Sequence, residues 1–275
     1  MIAALAALIA AFGYGTANLA GGLASRRQHA ALTLLISQAT AFPLVLLAAL
    51  VVAGRPEGFL LGAAAGTLGF CGCACAYLCY SLGRPVGIGA VLLGTASAAV
   101  PVAIGVVSGS SRPGPATVAG LVIAASAVAV LGWPEETKTD TQAALLATVG
   151  GAMFGSYHVL MSRTPKDSGM WPLVGSQGTI VALAVVFAIA LRVRRGRGRG
   201  PRGAALSVTD GVASTLATVA ALVAVRTGSL TSTGMLIALA PAVTTLLAWV
   251  FVGERPVGRR AAGLALALAA IACLT

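Results

Sequence analysis

Apolar residues in this chain run in ten long blocks, at about 2–23, 31–53, 59–82, 86–108, 115–132, 142–162, 171–191, 204–225, 230–252 and 257–274. At ~1.5 Å rise per residue, a block of roughly 20 residues matches a ~30 Å hydrocarbon core. Every backbone N–H and C=O in lipid needs an internal partner, so such blocks must be helices. A soluble fold is excluded on the same grounds. Only 9% of the residues are charged and mean hydropathy is +0.95, whereas a soluble domain places about a quarter of its residues as charges to wet its surface. The 35 glycines and 12 prolines are compatible with this reading, because both are commoner in membrane helices than in soluble ones. The expected class is an all-α membrane protein with ten transmembrane helices.

The net charge of +11 comes from 18 basic residues placed mainly between the blocks. Of these, 13 fall in odd-numbered gaps or, for Arg259 and Arg260, in the first turn of the block that follows one, and 5 in even-numbered gaps. Basic residues in short gaps mark the cytoplasmic side, so the count puts both termini outside and the Arg192–Arg202 gap inside the cell. That Arg-rich gap contains no aromatic residue, which favours acidic lipid headgroups over nucleic acid as its partner. No basic residue precedes the first block, and Arg26 and Arg27 follow it. The first block is therefore expected to be a retained helix rather than a cleaved signal.

The most polar gap, Trp133 to Asp140, lies near the middle of the chain, and the sequence on either side repeats. A shift of 142 places Phe12-Gly13 over Phe154-Gly155, and a shift of 139 places Ser37-Gln38 and Thr40 over Ser176-Gln177 and Thr179. Gly83 and Gly89 fall over Gly228 and Gly234 at a shift of 145, and Arg112-Pro113 and Ala119-Gly120-Leu121 over Arg255-Pro256 and Ala262-Gly263-Leu264 at 143. The small drift is what loop insertions produce. The expected organisation is one five-span unit over 1–132, a polar linker over 133–141 and a second five-span unit over 142–275. An odd number of spans inserts the second copy upside down, giving the inverted repeats on which alternating-access transporters are built.

Several stretches carry a resemblance to the drug/metabolite transporter superfamily, in particular its EamA-type ten-span permeases. They are Ala224 to Leu230 leading to Ala240-Pro241-Ala242-Val243-Thr244, then Gly253-Glu254-Arg255-Pro256 and Gly263, together with the opening from Phe12-Gly13-Tyr14 to Gly21-Gly22-Leu23-Ala24-Ser25-Arg26-Arg27. The resemblance covers nearly the whole chain and implies a metabolite or multidrug permease with a central cavity lined by both halves. The sequence departs from the pattern at Ser110-Ser111-Arg112-Pro113, which stands where the second half has Gly-Glu-Arg-Pro. Pro101 and Pro241 align only with about a turn of slippage. Asn18 is an uncharged amide where some relatives carry an acid, so the first span brings no carboxylate for proton coupling.

Ionisable groups within spans are costly and are the first functional candidates. Asp210 lies about six residues into the eighth block. It is a candidate for coupling to protons or a cation, against the alternative of an interfacial acid that caps its helix or pairs with an Arg. His158, near the end of the sixth block, is a candidate for coupling and for substrate contact, against a structural hydrogen bond to a neighbouring helix. The two lie at different depths and are not expected to be partners. Gln38 and Gln177 occupy equivalent positions in the two halves, and Asn18 is a third amide. Each can line a substrate cavity or act as interhelical glue. Tyr14, Tyr77, Tyr80, Tyr157 and Ser156 are further polar groups within spans. Tyr14, Tyr77 and Ser156 join Asn18, Gln38, Gln177 and His158 as the expected substrate-binding set, with membrane-interface positions as the competing reading for the tyrosines.

Pro101 and Pro241 fall in mid-block, where each should remove a backbone hydrogen bond, kink its helix and act as a hinge. Gly62/Gly66 and Gly151/Gly155 read as close-packing pairs. Glu254-Arg255 reads as a local ion pair at a helix end. Cys71, Cys75 and Cys79 share a helix face; with no CxxC and no nearby His they read as packing, and no metal or other cofactor is expected.

No catalytic set and no Walker-type loop is present, so an enzyme is not expected. The expected function is secondary active transport, with export favoured, of small neutral or cationic metabolites or drugs, with protons as the coupling ion. The bilayer and the small-molecule substrate are the expected partners, the plasma membrane is the expected location, and the chain is a monomer or homodimer. A non-transporting scaffold or sensor is the alternative, and an intramembrane enzyme a more distant one.

Overall fold

The computed structural model describes residues 2–52, 54–83, 85–107, 114–132, 138–191, 200–227, 237, 239–254 and 258–274. Helices fall on the apolar blocks. They are α1 (Ile2–Arg27), α2 (Ala30–Val51), α3 (Phe59–Ser81), α4 (Val86–Val107), α5 (Pro115–Gly132), α6 (Lys138–Met161), α7 (Trp171–Ala190), α8 (Pro201–Thr227), α9 (Ala240–Val252) and α10 (Arg259–Leu274). A short 3-10 turn at Lys166–Ser168 precedes α7. No strand occurs among the described residues. Among the described residues, 6 helices are long and apolar enough to cross a membrane, namely α1, α2, α3, α6, α7 and α8. Large apolar side chains stay on the outside, with Val51 77% and Leu60 80% exposed. A lipid-facing surface has this character, since there is no water to avoid.

Helix ends depart from the apolar blocks where local chemistry extends or stops them. α1 runs four residues past its block because Arg26 and Arg27 suit the negative end of the helix dipole. α2 starts where His29 Nδ1 accepts from the Ala31 N–H at 3.2 Å. Pro241 sits at the first or second position of α9, with residue 237 helical just before it and residues 230–236 and 238 outside the described residues. There its missing N–H has no intrahelical partner to lose, and its fixed φ suits the helix start. Pro101 lies within α4. The block sequence did not single out Pro43, which lies inside α2. The repeat positions at Arg112-Pro113, Gly228, Gly234 and Arg255-Pro256, residues 133–137 of the polar linker and 192–199 of the Arg-rich gap lie outside the described residues.

Small residues set the helix pairings. α1 runs antiparallel to α8, with Gly13 on Ala217, Gly21 on Asp210 and Gly203 on Gln28. α6 runs antiparallel to α3, with Gly72 on Phe154 and Gly150 on Cys75. α1 lies parallel to α9 through Gly15 and Val243, and α6 parallel to α4 through Gly151 and Leu93 and through Gly155 and Ser97. Gly211 of α8 packs on the Ser37 carbonyl of α2, and Gly66 of α3 packs on the Ser176 carbonyl of α7. In each case a side chain would hold the backbones apart. At one end of the bundle the α2–α3 loop meets the α6–α7 loop, where the Arg55 N–H donates to Asp167 O at 3.1 Å. At the other end, Gln28 Nε2 donates to Ser207 Oγ at 2.7 Å, tying the end of α1 to the start of α8.

Candidate functional site

The two glutamines singled out by the repeat meet. Gln177 Nε2 on α7 donates to Gln38 Oε1 on α2 at 2.9 Å. One of the two Gln38 Nε2 donors points to Cys73 Sγ on α3 at 3.9 Å, a weak contact. α2 and α7 cross antiparallel here, and below the crossing Val45 and Ala49 pack with Met170 and Val174. An amide pair within an apolar seam satisfies one donor and one acceptor, and leaves the other polar atoms of both side chains for a further partner. Gln177 is half-buried and so within reach of one.

One turn away, Asp210 is buried, 4% exposed, between α1, α2 and α3. Tyr77 Oη donates to Asp210 Oδ2 at 2.5 Å, a short charge-assisted bond. Ser37 Oγ lies 3.4 Å from Tyr77 Oη and also hydrogen-bonds the carboxylate. This corrects both bland readings of Asp210. It is not a cap, because α8 begins at Pro201 and places it two turns inside the helix. Nor is it paired with an Arg among the described residues, where hydroxyls from two other helices satisfy it. Gly21 makes room: a Cβ there would sit 2.7 Å from both Asp210 Oδ2 and the Tyr77 ring. Tyr80 lies in electrostatic range of Asp210 and Cys73. The buried Tyr80 Oη and Thr95 Oγ1 have no hydrogen-bond partner among the described residues.

The other expected site residues divide. Tyr14 Oη meets Thr218 Oγ1 on α8 at 3.1 Å. Thr218 already donates to Ser214 O at 2.8 Å, so Tyr14 is the donor. Tyr157 lies beside Gly69 of α3, where an added Cβ would be 3.4 Å from its ring. Asn18 is half-buried and makes no hydrogen bond among the described residues. Ser156 gives its hydroxyl proton to its own helix, at Ala152 O, 2.9 Å away. His158 is exposed and packs edge to face on Tyr157, with ring centroids 5.2 Å apart. It lies near the end of α6 that joins the α6–α7 loop, whereas Asp210 lies near the opposite end of the bundle, so the two do not meet. Cys71 is exposed, Cys75 half-buried and Cys79 buried. Among the described residues no three His, Cys, Asp or Glu side chains group as metal ligands.

A second polar assembly lies at the end of the bundle where α1 stops. Arg26 Nη1 is 3.0 Å from Glu254 Oε1, with the side chains 24% and 15% exposed. The other carboxylate oxygen, Oε2, accepts from the Gly87 N–H at the start of α4, at 3.4 Å. Glu254 thus makes a long-range pair with Arg26; the local Glu254-Arg255 pair expected from sequence falls on Arg255, which lies outside the described residues. Gly253 terminates α9 in the left-handed region, at φ 77°, and the Glu254 N–H returns to Ala248 O at 3.2 Å. This turn aims Glu254 back at the bundle. Ser37, Cys73, Gly21, Thr218 and the Arg26–Glu254 pair were not singled out as site residues in the sequence; Ser37 carried a signal through its place in the repeated Ser-Gln, and Gly21, Arg26 and Glu254 through the stretches that carry the resemblance.

The profile of the EamA-like transporter family matches residues 141–275. A solved crystal structure of a protein superposes with a TM-score of 0.67 at 20% identity, covering 99% of this chain and 96% of that one. At this identity the likeness is one of fold. No curated protein matches the sequence.

Proposed function

The chain belongs to the EamA-like transporter family through residues 141–275, and from that premise we propose that it is a secondary active exporter of small neutral or cationic metabolites or drugs. The multi-pass membrane character and the transporter class come with the family and the apolar helices. Alternating access, the substrate class, outward direction, proton coupling and the plasma membrane are our reading.

One observation carries it: polar groups of both halves converge in a bundle that is otherwise apolar. Gln38 binds Gln177 across the halves, and Asp210 draws hydroxyls from α2 and α3. A carboxylate that is the one buried acid among the described residues, with no basic partner among them, suits a proton or a cationic substrate better than an anionic one. The unpartnered Tyr80 and Thr95 hydroxyls are polar atoms that a substrate could satisfy. In this reading Gln38, Gln177, Tyr77, Tyr14 and Asn18 contact substrate, with Ser156 and His158 at the margin, and Asp210 carries the coupling proton.

The chain is read as two inverted five-span units, 1–132 and 142–275, joined at 133–141. Support comes from the reciprocity of the pairings. α1 on α8 is answered by α6 on α3, α1 on α9 by α6 on α4, and α2 on α8 by α7 on α3. Each pair turns into the other when the first five helices are exchanged with the second five. Gly211 on Ser37 and Gly66 on Ser176 are such mates, as a pseudo-twofold axis in the membrane plane requires.

The test is flux. Purified protein in proteoliposomes should move ethidium or tetraphenylphosphonium when a pH gradient is imposed, and a protonophore should abolish the movement. The Gln38→Leu/Gln177→Leu double variant should bind the same probes roughly tenfold more weakly, the loss of one or two buried polar contacts. Equal dye movement in protein-free vesicles, or movement indifferent to the gradient, rejects the coupled-transporter reading.

A further inference from the structure

We propose that Arg26, Glu254 and the Gly87 N–H form a one-sided charge clamp that holds the bundle closed at the end where α1 stops, and that this clamp must break for that face to open. The inference rests on the reading of the chain as an alternating-access transporter and specifies how one of its faces is gated.

The contact joins three helix ends. Arg26 is in the last turn of α1, Glu254 follows α9, and Gly87 opens α4. α1 and α4 belong to the first half and α9 to the second, so the contact crosses between the halves. Its chemistry is directional. The carboxylate sits at the N-terminus of α4, where the free N–H groups and the helix dipole favour an anion. Its second oxygen takes the guanidinium at the C-terminus of α1, where the dipole favours a cation. Each charge therefore has two reasons to be where it is. The pair is mostly shielded from solvent, so it is weakened less by salt than a surface pair. The left-handed turn at Gly253 fixes the direction in which Glu254 leaves α9.

The sequence supplies no acid for a counterpart of the clamp at the opposite end. The repeat that sets Arg112-Pro113 over Arg255-Pro256 sets Ser111 over Glu254, and no Asp or Glu occurs between Glu57 and Glu135. A pseudo-twofold copy of the clamp would need an acid there. Halves that are otherwise related thus differ in what closes their two faces: among the described residues a charge pair joins the halves at one face only. Small-residue packing continues up to the clamp, with Gly22 on Val86 and Gly87 on Thr245, so separating the helices there costs few bulky contacts. The ion pair is the part of the closure that can be switched.

Cysteine accessibility tests the clamp without any substrate. The full-length chain keeps Cys73, which lies inside the bundle against Gln38, while Cys71, Cys75, Cys79 and Cys273 are replaced by Ala. A membrane-impermeant maleimide is then applied from each face in turn to oriented vesicles. Neutralising either partner, by Arg26→Gln or Glu254→Gln, should speed labelling from the clamp face about tenfold, with little change from the opposite face. The double variant should add little to either single one, since both remove the same interaction. Unchanged labelling from the clamp face, or an equal rise from both faces, overturns the proposal. Should the neutralised chains not fold, Arg26→Cys/Glu254→Cys in a chain lacking the native cysteines can be bridged by a reducible bismaleimide. Labelling of a reporter cysteine at Gln38 from the clamp face should then be blocked until the bridge is reduced, and labelling that ignores the bridge overturns the proposal. A chain that opens on neutralisation but moves no probe in proteoliposomes would keep the clamp and reject the transporter reading, so the two failures are distinguishable.

Discussion

A carboxylate two turns inside a membrane helix persists only where neighbours supply donors, and Asp210 draws them from Tyr77 on α3 and Ser37 on α2. Asparagine at this position keeps the size and still accepts from Tyr77, but it cannot take up or release a proton. Asp210→Asn should therefore abolish pH-gradient-driven uptake in proteoliposomes while leaving probe binding, measured by thermal shift, largely intact. Undiminished gradient-driven uptake in that variant would move coupling to another residue. Gly21 belongs to the same argument, since a methyl group there meets both Asp210 and the Tyr77 ring. Gly21→Ala should push the ring off the carboxylate and lower stability by about 1–3 kcal/mol, the usual cost of overpacking, seen as an earlier melt in detergent.

Between helices, the close approaches depend on single glycines. Gly211 lets α8 touch the backbone of α2 at Ser37, and Gly66 lets α3 approach α7 to within 2.6 Å of a would-be Cβ at Ser176 O. The obstructing atoms are backbone, which cannot turn aside as a side-chain tip can. Gly211→Val should separate α2 from α8, displace Ser37 from Tyr77 and Asp210, and lower the detergent melting temperature. Gly178→Ala is the control, because its Cβ would meet only Phe42 Cε2 at 3.6 Å. It should melt like the parent. If the two variants melt alike, the helix contact is not limiting. Pro241 belongs to this scale as well. At the first turn of α9 it packs on Gly94 of α4, where an added Cβ would lie 2.6 Å from Pro241 Cγ, so it shapes the contact between α4 and α9.

For the molecule as a whole, orientation follows from charge. With 13 of 18 basic residues in the odd gaps or, for Arg259 and Arg260, just beyond one, the Arg192–Arg202 gap and the Arg26–Glu254 clamp should face the cytoplasm and both termini the outside. A cysteine placed in that gap should resist an impermeant reagent added to intact cells; strong labelling would reverse the assignment. The helices were legible in the sequence because block length and apolarity are local properties and lipid leaves no other structure to an apolar backbone. Asp210 was legible because a carboxylate stands out there, and Gln38 and Gln177 because the repeat marked them. The partners were not. Tyr77 and Asp210 are 133 positions apart, and Arg26 and Glu254 lie at the ends of α1 and α9. In a water-soluble helix the apolar stripe announces the packed face. Here the lipid-facing side is as apolar as the packed one, so no periodicity tells which faces meet. Only the packing of small residues in three dimensions decided that Asp210 meets a tyrosine, that the two glutamines bind each other, and that Glu254 reaches back to Arg26.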